Sequence, residues 1–134
     1  MTKILVIEDE ESVRENILEL LDTEGFETIA AKNGRIGLGL AQKEHPDLIL
    51  CDVRMPELDG YGVLTGLRSE LITAAIPFIF LTAKAAKTDL SFGLDLGANA
   101  YITKPFTLVE LLDTIEQTLL HAPSQAAQIE CVSS

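Results

Sequence analysis

The residues Leu48-Ile49-Leu50-Cys51-Asp52-Val53-Arg54-Met55-Pro56 form an apolar run that ends in a carboxylate and continues into a proline-marked loop. Unbroken hydrophobicity of this kind is typical of a strand that is buried on both faces of a parallel sheet. Ligands bind to such sheets at the carboxyl ends of the strands. The pattern therefore predicts that Asp52 lies at the mouth of a site.

Other apolar runs also stop at polar groups. The runs at 3–7, 77–81 and 100–103 end, respectively, at the following residues: Glu8 and Asp9, Thr82 and Ala83, and Lys104. Because parallel strands end at one edge of a sheet, we expect these groups to meet Asp52 there. Each acid taken singly is just as typical of a helix cap or a solvated turn, so the joint placement carries the prediction.

Helical spacing of apolar residues separates the runs. A capping box at Ser12 and Glu15 predicts the start of a first helix, which ends near Gly25. A weaker, half-alternating strand at 26–31 is expected at the sheet edge. The second helix is predicted at about 35–44.

The second half of the chain repeats the alternation. A third helix is predicted from Asp59-Gly60, and a fourth is expected to be capped by Thr88 or Asp89 and to end at Gly97. A second capping box, at 107–110, opens the fifth helix. Its predicted apolar stripe consists of Leu108, Leu111, Leu112, Ile115 and Leu119.

Five strands alternating with five helices predict an α/β fold of the doubly wound, flavodoxin-like kind. The expected sheet is parallel, has the order 2-1-3-4-5 and carries helices on both faces. We expect one domain at 1–121. Residues 122–134 lack periodicity and are expected to be a flexible tail or the start of a linker.

The charge balance narrows the function. The 134 residues include 21 acidic and 10 basic side chains, for a net charge of -11, which argues against direct nucleic-acid binding. No apolar run approaches the roughly 20 residues that a membrane helix needs, and the N-terminus does not resemble a secretory signal. We therefore expect no membrane insertion and a cytoplasmic location.

The grouped acids favour a bound cation. Two carboxylates about 4 Å apart repel by roughly 4 kcal/mol at an effective dielectric constant near 20. A set such as Glu8, Asp9 and Asp52 suits Mg²⁺, which prefers hard oxygen ligands. A carboxylate beside Mg²⁺ is a possible nucleophile toward a phosphoryl group. Lys104, the Thr82 hydroxyl and the Ala83 N–H would then bind phosphoryl oxygens.

Five segments together resemble the receiver domain of bacterial two-component response regulators. They are Ile4 to Asp9, Pro46 to Asp52, Met55-Pro56 with Asp59-Gly60, Leu81 to Lys84, and Tyr101 to Phe106. The resemblance extends from 2 to about 121, and the segments occur in the order typical of the family.

The resemblance implies that Asp52 accepts a phosphoryl group from a sensor histidine kinase or a phosphotransfer protein. It implies Mg²⁺ bound by Asp9, Asp52 and the Arg54 carbonyl, with Glu8 acting through water. Thr82 and Tyr101 would reorient after phosphorylation. The surface of the fourth helix, last strand and fifth helix would then change for a downstream protein partner. Such a protein is a phosphoacceptor switch rather than a metabolic enzyme.

Three features depart from the commonest pattern of the family. Glu8 stands where aspartate is more usual, and Asn99-Ala100 stands where many DNA-binding members carry two aspartates. Arg54 and Lys84 flank the acceptor, where they would shield a phosphoryl group from water and slow its loss. The bland interpretation of both cations is that they extend into solvent.

Other functions remain open from the sequence. An aspartate-nucleophile phosphatase of the haloacid dehalogenase type needs a second acid two residues after the nucleophile, where this chain has Arg54. A flavodoxin-like flavin protein needs a phosphate-binding loop after the first strand, where the acids at 8–11 would repel phosphate. A degenerate receiver would use the fold only to bind proteins.

Overall fold

The computed structural model describes residues 1–83 and 87–121, without the side chains of 87–90. The strands are β1 (Lys3–Ile7), β2 (Glu27–Ala31), β3 (Leu48–Asp52), β4 (Phe78–Thr82) and β5 (Ala100–Thr103). The helices are α1 (Glu11–Thr23), α2 (Gly34–Glu44), α3 (Gly60–Arg68), α4 (Lys87–Asp95) and α5 (Leu108–His121). Within the described ranges, no helix combines the length and hydrophobicity that a membrane span requires.

The sheet confirms the predicted topology. Its order is β2-β1-β3-β4-β5, and every pairing is parallel. In the register, Asp52 lies beside Leu81, and Thr82 lies beside Thr103. The carboxyl ends of β3, β4 and β5 therefore meet at one edge, where the predicted site residues follow.

The three inner strands bury both of their faces, which explains their unbroken hydrophobicity. One hydrophobic cluster, here the α2–α3 cluster, contains Leu5, Ile7, Ile49, Cys51, Phe78 and Phe80 with residues of α2 and α3. The other, the α1–α5 cluster, contains Ile4, Val6, Leu48, Leu50, Ile79 and Leu81 with residues of α1 and α5. Alternate residues of each strand thus belong to opposite sides of the sheet.

The predicted start of α1 was wrong. The helix begins at Glu11, because the Glu10 carbonyl already accepts a hydrogen bond from the Arg14 N–H at 2.9 Å. Ser12 therefore lies inside the first turn, and the N-cap residue Glu10 makes no side-chain capping bond. The predicted stop is confirmed, since Gly25 has a left-handed φ of 89°.

The later helix ends were predicted with mixed success. Thr88 and Asp89 are not caps, because both lie inside α4, which is described from Lys87. The second capping box is confirmed: the Glu110 N–H donates to Thr107 Oγ1 at 3.1 Å, and the Thr107 N–H donates to Glu110 Oε1 at 3.3 Å.

The apolar stripe of α5 is confirmed except at its first member. Leu111 and Ile115 are fully buried, and Leu112 and Leu119 are partly buried. Leu108 is exposed instead, in the first turn of the helix.

Two glycines of α2 have different roles. A Cβ on Gly37 would lie 2.4 Å from Ile7 Cδ1, in a core that is fully buried. A Cβ on Gly39 would meet nothing within 4 Å. Gly37 therefore lets α2 pack closely against β1, whereas Gly39 only weakens the helix.

This difference makes a matched pair of variants. We expect Gly39→Ala to raise the free energy of unfolding by about 1 kcal/mol through helix propensity. Gly37→Ala gains the same propensity but crowds Ile7, so we expect a net loss of about 1 to 3 kcal/mol. Urea unfolding followed by circular dichroism measures both changes. A Gly37→Ala variant as stable as Gly39→Ala would contradict the packing described for α2.

Candidate functional site

Three carboxylates cluster where β1 and β3 end. Ile7 pairs with Cys51 in the register, so Glu8 and Asp9 follow β1 beside Asp52, the last residue of β3. One oxygen from each of the three side chains lies within 4.8 Å of the others. Glu8 is fully buried, Asp52 is partly buried and Asp9 is exposed. The predicted grouping of these acids is therefore present in the structure.

Lys104 directly follows β5, and its side chain reaches this cluster. Its Nζ lies 2.5 Å from Glu8 Oε1 and 3.4 Å from Asp52 Oδ2. Its backbone N–H donates to the Thr82 carbonyl at 2.7 Å, which places it directly after the β4–β5 pair. The following bond, Lys104–Pro105, is cis. The lysine thus forms ion pairs with two of the three acids.

The cluster shifts the acid–base properties of its members. The pKa of Glu8 is raised by burial and by a hydrogen bond with Asp52, although Lys104 opposes the shift. The pKa of Asp9 is raised by desolvation and by its interaction with Glu8. Burial lowers the pKa of Lys104, but its hydrogen bond to Glu8 and the charge of Asp52 outweigh burial and leave that pKa raised. Desolvation is therefore the main cause of the raised pKa values of both acids, and the neighbouring carboxylates add to it.

The expected hydroxyl and backbone donor lie at the same edge. Thr82 is the last residue of β4 and is partly buried, and Ala83 follows it in an exposed position. Tyr101, on β5, is 38% exposed. A cavity of about 10 Å³ lies among side chains that include Thr82, Tyr101, Tyr61 and Leu94.

Of the two predicted flanking cations, the structure describes only Arg54. Arg54 follows Asp52 by two residues and is exposed, whereas Lys84 lies outside the described residues. An exposed Arg54 two residues after Asp52 agrees with either a shielding cation or a solvated side chain.

Sequence reasoning missed two supports of the site. Arg14 Nη1 donates to the Glu8 carbonyl at 2.9 Å and so anchors the acidic loop to α1. Gly60 starts α3 against β3, because a Cβ there would lie 2.4 Å from the Asp52 carbonyl oxygen. The Asp59-Gly60 pair predicted a helix start, but the sequence pattern does not predict this close approach.

The donor set fits Mg²⁺. Oxygen ligands are available from Glu8, Asp9 and Asp52, and part of the cluster faces solvent, which leaves room for metal-bound water. When the three acids are ionised, the single Lys104 charge leaves them under-compensated, and a divalent cation removes that repulsion.

Curated relatives are similar in sequence to this chain over most of its length. A probable transcriptional regulator, ycf27, of Galdieria sulphuraria is 46% identical over 109 residues, which cover 81% of this chain and 42% of the relative. The transcriptional regulatory protein PcoR of Escherichia coli is 40% identical over 129 residues, covering 96% of this chain and 56% of PcoR. The chain spans about half the length of the curated relatives it matches.

Solved structures show the same fold. The chemotaxis protein CheY4 of Vibrio cholerae superposes with a TM-score of 0.85 at 30% identity, covering 88% of this chain and 98% of CheY4. The receiver domain of the sensor histidine kinase PA1611 of Pseudomonas aeruginosa, solved with a magnesium ion in its active-site cleft, has a TM-score of 0.82 at 30% identity and covers 88% and 97%. The family model of the response regulator receiver domain matches residues 4–116, and the chain belongs to that family.

Proposed function

We propose that this receiver domain accepts a phosphoryl group on Asp52 from a sensor histidine kinase or a phosphotransfer protein. The observation that carries the proposal is the placement of Lys104 Nζ, 2.5 Å from buried Glu8 and 3.4 Å from Asp52. This puts a fixed cation beside a partly exposed carboxylate. A receiver that served only as a protein-binding scaffold would not need that arrangement.

The transfer is a displacement at phosphorus. A carboxylate oxygen of Asp52 forms the new O–P bond while the N–P bond of the donor's phosphohistidine breaks, and the electron pair of that bond returns to the imidazole. We assign Lys104 to pair with a phosphoryl oxygen, and the Thr82 hydroxyl and the Ala83 N–H to donate to others. These donors stabilise the charge on the transferring group.

The metal belongs to the same site. We assign Asp9, Asp52 and the Arg54 carbonyl as Mg²⁺ ligands, and Glu8 as a group that acts through a metal-bound water. Bound Mg²⁺ supplies positive charge that offsets both the carboxylates and the phosphoryl oxygens. Buried Glu8 also holds Lys104 in position, since the two are in direct contact.

The output follows from a shift between two conformations. Thr82 ends β4 beside the acceptor strand, and Tyr101 lies on the neighbouring strand with 38% of its surface exposed. We propose that phosphorylation draws in Thr82 and lets Tyr101 turn inward, which changes the surface formed by α4, β5 and α5. A downstream protein partner would recognise that surface.

The domain acts as a signalling switch rather than an enzyme of metabolism. Self-phosphorylation from a small phosphodonor and slow self-dephosphorylation would be its only chemistry. Its proposed extent is 1–121, and its net charge of -11 disfavours direct nucleic-acid contact. The curated relatives named as transcriptional regulators are about twice as long, so DNA binding in those proteins is compatible with a separate domain.

The acceptor assignment has a direct test. Incubation with acetyl phosphate and Mg²⁺ should add one phosphoryl group to the wild-type protein and none to Asp52→Asn, as measured by intact mass. Asp59→Asn is the matched control, because Asp59 lies in the same loop and caps α3 through the Gly62 N–H, a bond that asparagine keeps. An adduct that persists in Asp52→Asn would overturn the assignment.

The metal site makes a separate prediction. Mg²⁺ should raise the melting temperature of the wild-type protein because it binds the folded state and relieves carboxylate repulsion. Asp9→Asn should lose most of that Mg²⁺-dependent gain, yet melt higher than wild type in EDTA at pH 7, since the raised pKa of Asp9 means that its ionised form is disfavoured by folding.

Glu70→Gln removes one exposed charge far from the cluster and is the control for the metal experiment. It should respond to Mg²⁺ as the wild type does. An Asp9→Asn variant with an unchanged Mg²⁺ response would remove Asp9 from the ligand set.

Arg54 is proposed to tune the lifetime of the phosphorylated state. An exposed cation two residues after the acceptor would shield the phosphoryl group from water. Arg54→Asn should therefore shorten the phosphoryl lifetime, measured by the decay of the intact-mass adduct after the donor is removed. The same lifetime in both proteins would show that Arg54 merely extends into solvent. Lys84, the other proposed shielding residue, can be compared in the same assay.

A further inference from the structure

Four aromatic rings form a continuous row from the core to the surface of α4. Phe78 and Phe80 on β4 meet edge to face, with centroids 4.9 Å apart. Tyr61 on α3 contacts Phe80 at 5.2 Å and Phe92 on α4 at 4.9 Å, both in edge-to-face geometry. Tyr61 is therefore the ring that joins α3 to α4.

The inner end of this row is fixed to the phosphoacceptor loop. The Gly60 N–H donates to the Val53 carbonyl at 2.8 Å, directly after Asp52. A Cβ on Gly60 would lie 2.4 Å from the Asp52 carbonyl oxygen and 3.0 Å from the Phe80 ring. The first turn of α3, which carries Tyr61, is thus packed against the backbone of the acceptor with no free space between them.

The outer end of the row sets the position of α4. A Cβ on Gly93 would lie 2.9 Å from Phe80, so α4 touches β4 through a bare backbone at this point. Phe92, the preceding residue, is 52% exposed, and its described ring contact is with Tyr61. The cavity of about 10 Å³ beside Thr82 and Tyr101 is lined by Tyr61 and Phe80 as well. Tyr61 therefore contacts α4 through Phe92 and lines the same cavity as the proposed switch residues.

We propose that the contact between Tyr61 and Phe92 is a latch that holds α4 in the position described here and so limits how readily phosphorylation of Asp52 changes it. The inference rests on the proposed phosphoacceptor function and concerns its regulation. Tyr61 is a positioning residue in this scheme, because it acts on α4 and touches none of the reacting atoms. Edge-to-face geometry is lost when one ring slides past the other, so a movement of α4 along α3 must break the contact.

The latch has a measurable effect on the site. If the contact favours the described position of α4, its loss shifts the population toward the phosphorylation-competent conformation and strengthens binding of a phosphoryl mimic. An aromatic pair of this kind accounts for a change in affinity of about 2- to 10-fold. Beryllofluoride, which mimics an aspartyl phosphate, is the probe, and calorimetric titration in saturating Mg²⁺ gives its Kd.

Four variants separate the latch from ordinary core packing. Tyr61→Leu and Phe92→Leu each remove one ring, and both should bind beryllofluoride about 2- to 10-fold more tightly than wild type. Phe92→Tyr keeps the ring at a half-exposed position and should retain the wild-type Kd. Phe26→Leu removes a partly buried ring from the α1–α5 cluster, on the opposite side of the sheet, and should lower stability without changing the Kd.

A double variant checks that the two rings act through one contact. Tyr61→Leu with Phe92→Leu should bind no more tightly than either single variant, because the same contact is removed in each case. Faster amide exchange in α4 of both single variants, and wild-type exchange in Phe92→Tyr, should accompany the change in Kd. Because Phe92 is half exposed, Phe92→Leu tests the latch even where Tyr61→Leu lowers stability.

The outcomes distinguish the latch from the function beneath it. A wild-type protein that neither binds beryllofluoride nor gains a phosphoryl group would refute the phosphoacceptor function. A wild-type protein that binds it, together with leucine variants that bind equally or more weakly, would overturn the latch alone. A Phe92→Tyr variant that behaves like Phe92→Leu would also overturn it, since loss of the ring contact would then not be the cause.

Discussion

The ion pairs of Lys104 with Glu8 and Asp52 compensate part of the negative charge at the carboxyl end of this sheet, and the rest of the site depends on them. Glu8 is fully buried and would otherwise face two neighbouring acids. Removing one partner of a buried pair typically costs about 3 to 5 kcal/mol, because the other charge is left without compensation. The lysine follows β5, so the site also depends on β5 lying beside β4 and on the parallel order of the sheet.

The same cluster of acids lowers the stability of the fold but provides the charges that a cation site needs. Desolvation, and after it the neighbouring acids, raise the pKa of Glu8 and Asp9, which means that their ionised forms are less favourable in the folded protein than in the unfolded chain. Replacing one acid by a neutral residue would reduce the repulsion. Retaining all three gives up stability for a site that attracts a divalent cation, a trade that is common where function needs a strained charge arrangement.

The sheet was predictable from the sequence because each inner strand is a continuous apolar run that ends in a polar group. The residues of the site were predictable for the same reason, since parallel strands bring their ends together. Their burial was not predictable: Glu8 is enclosed and Asp9 is exposed, although they are adjacent in the chain. The Arg14 bond to the Glu8 carbonyl, which ties the loop after β1 to α1, could not be predicted from the sequence pattern either.

Helix starts were the weakest predictions, for a local reason. The letters around Ser12 and Thr107 both match a capping box, but only Thr107 makes the hydrogen bonds of one. In α1 the carbonyl of Glu10 already accepts the Arg14 N–H, so the first helical turn begins before Ser12. The contacts of Gly60 and Tyr61 were invisible for another reason, since they depend on how closely α3 approaches β3 and β4 rather than on spacing along the chain.

The division of the core by the sheet has an evolutionary consequence. The α2–α3 cluster and the α1–α5 cluster lie on opposite faces, with the backbone of the strands between them. Substitutions that are far apart and share no partners usually have additive effects on stability. Each helical layer is therefore free to drift in sequence under its own packing demands, and new recognition specificity arising on one layer does not require compensating changes on the other.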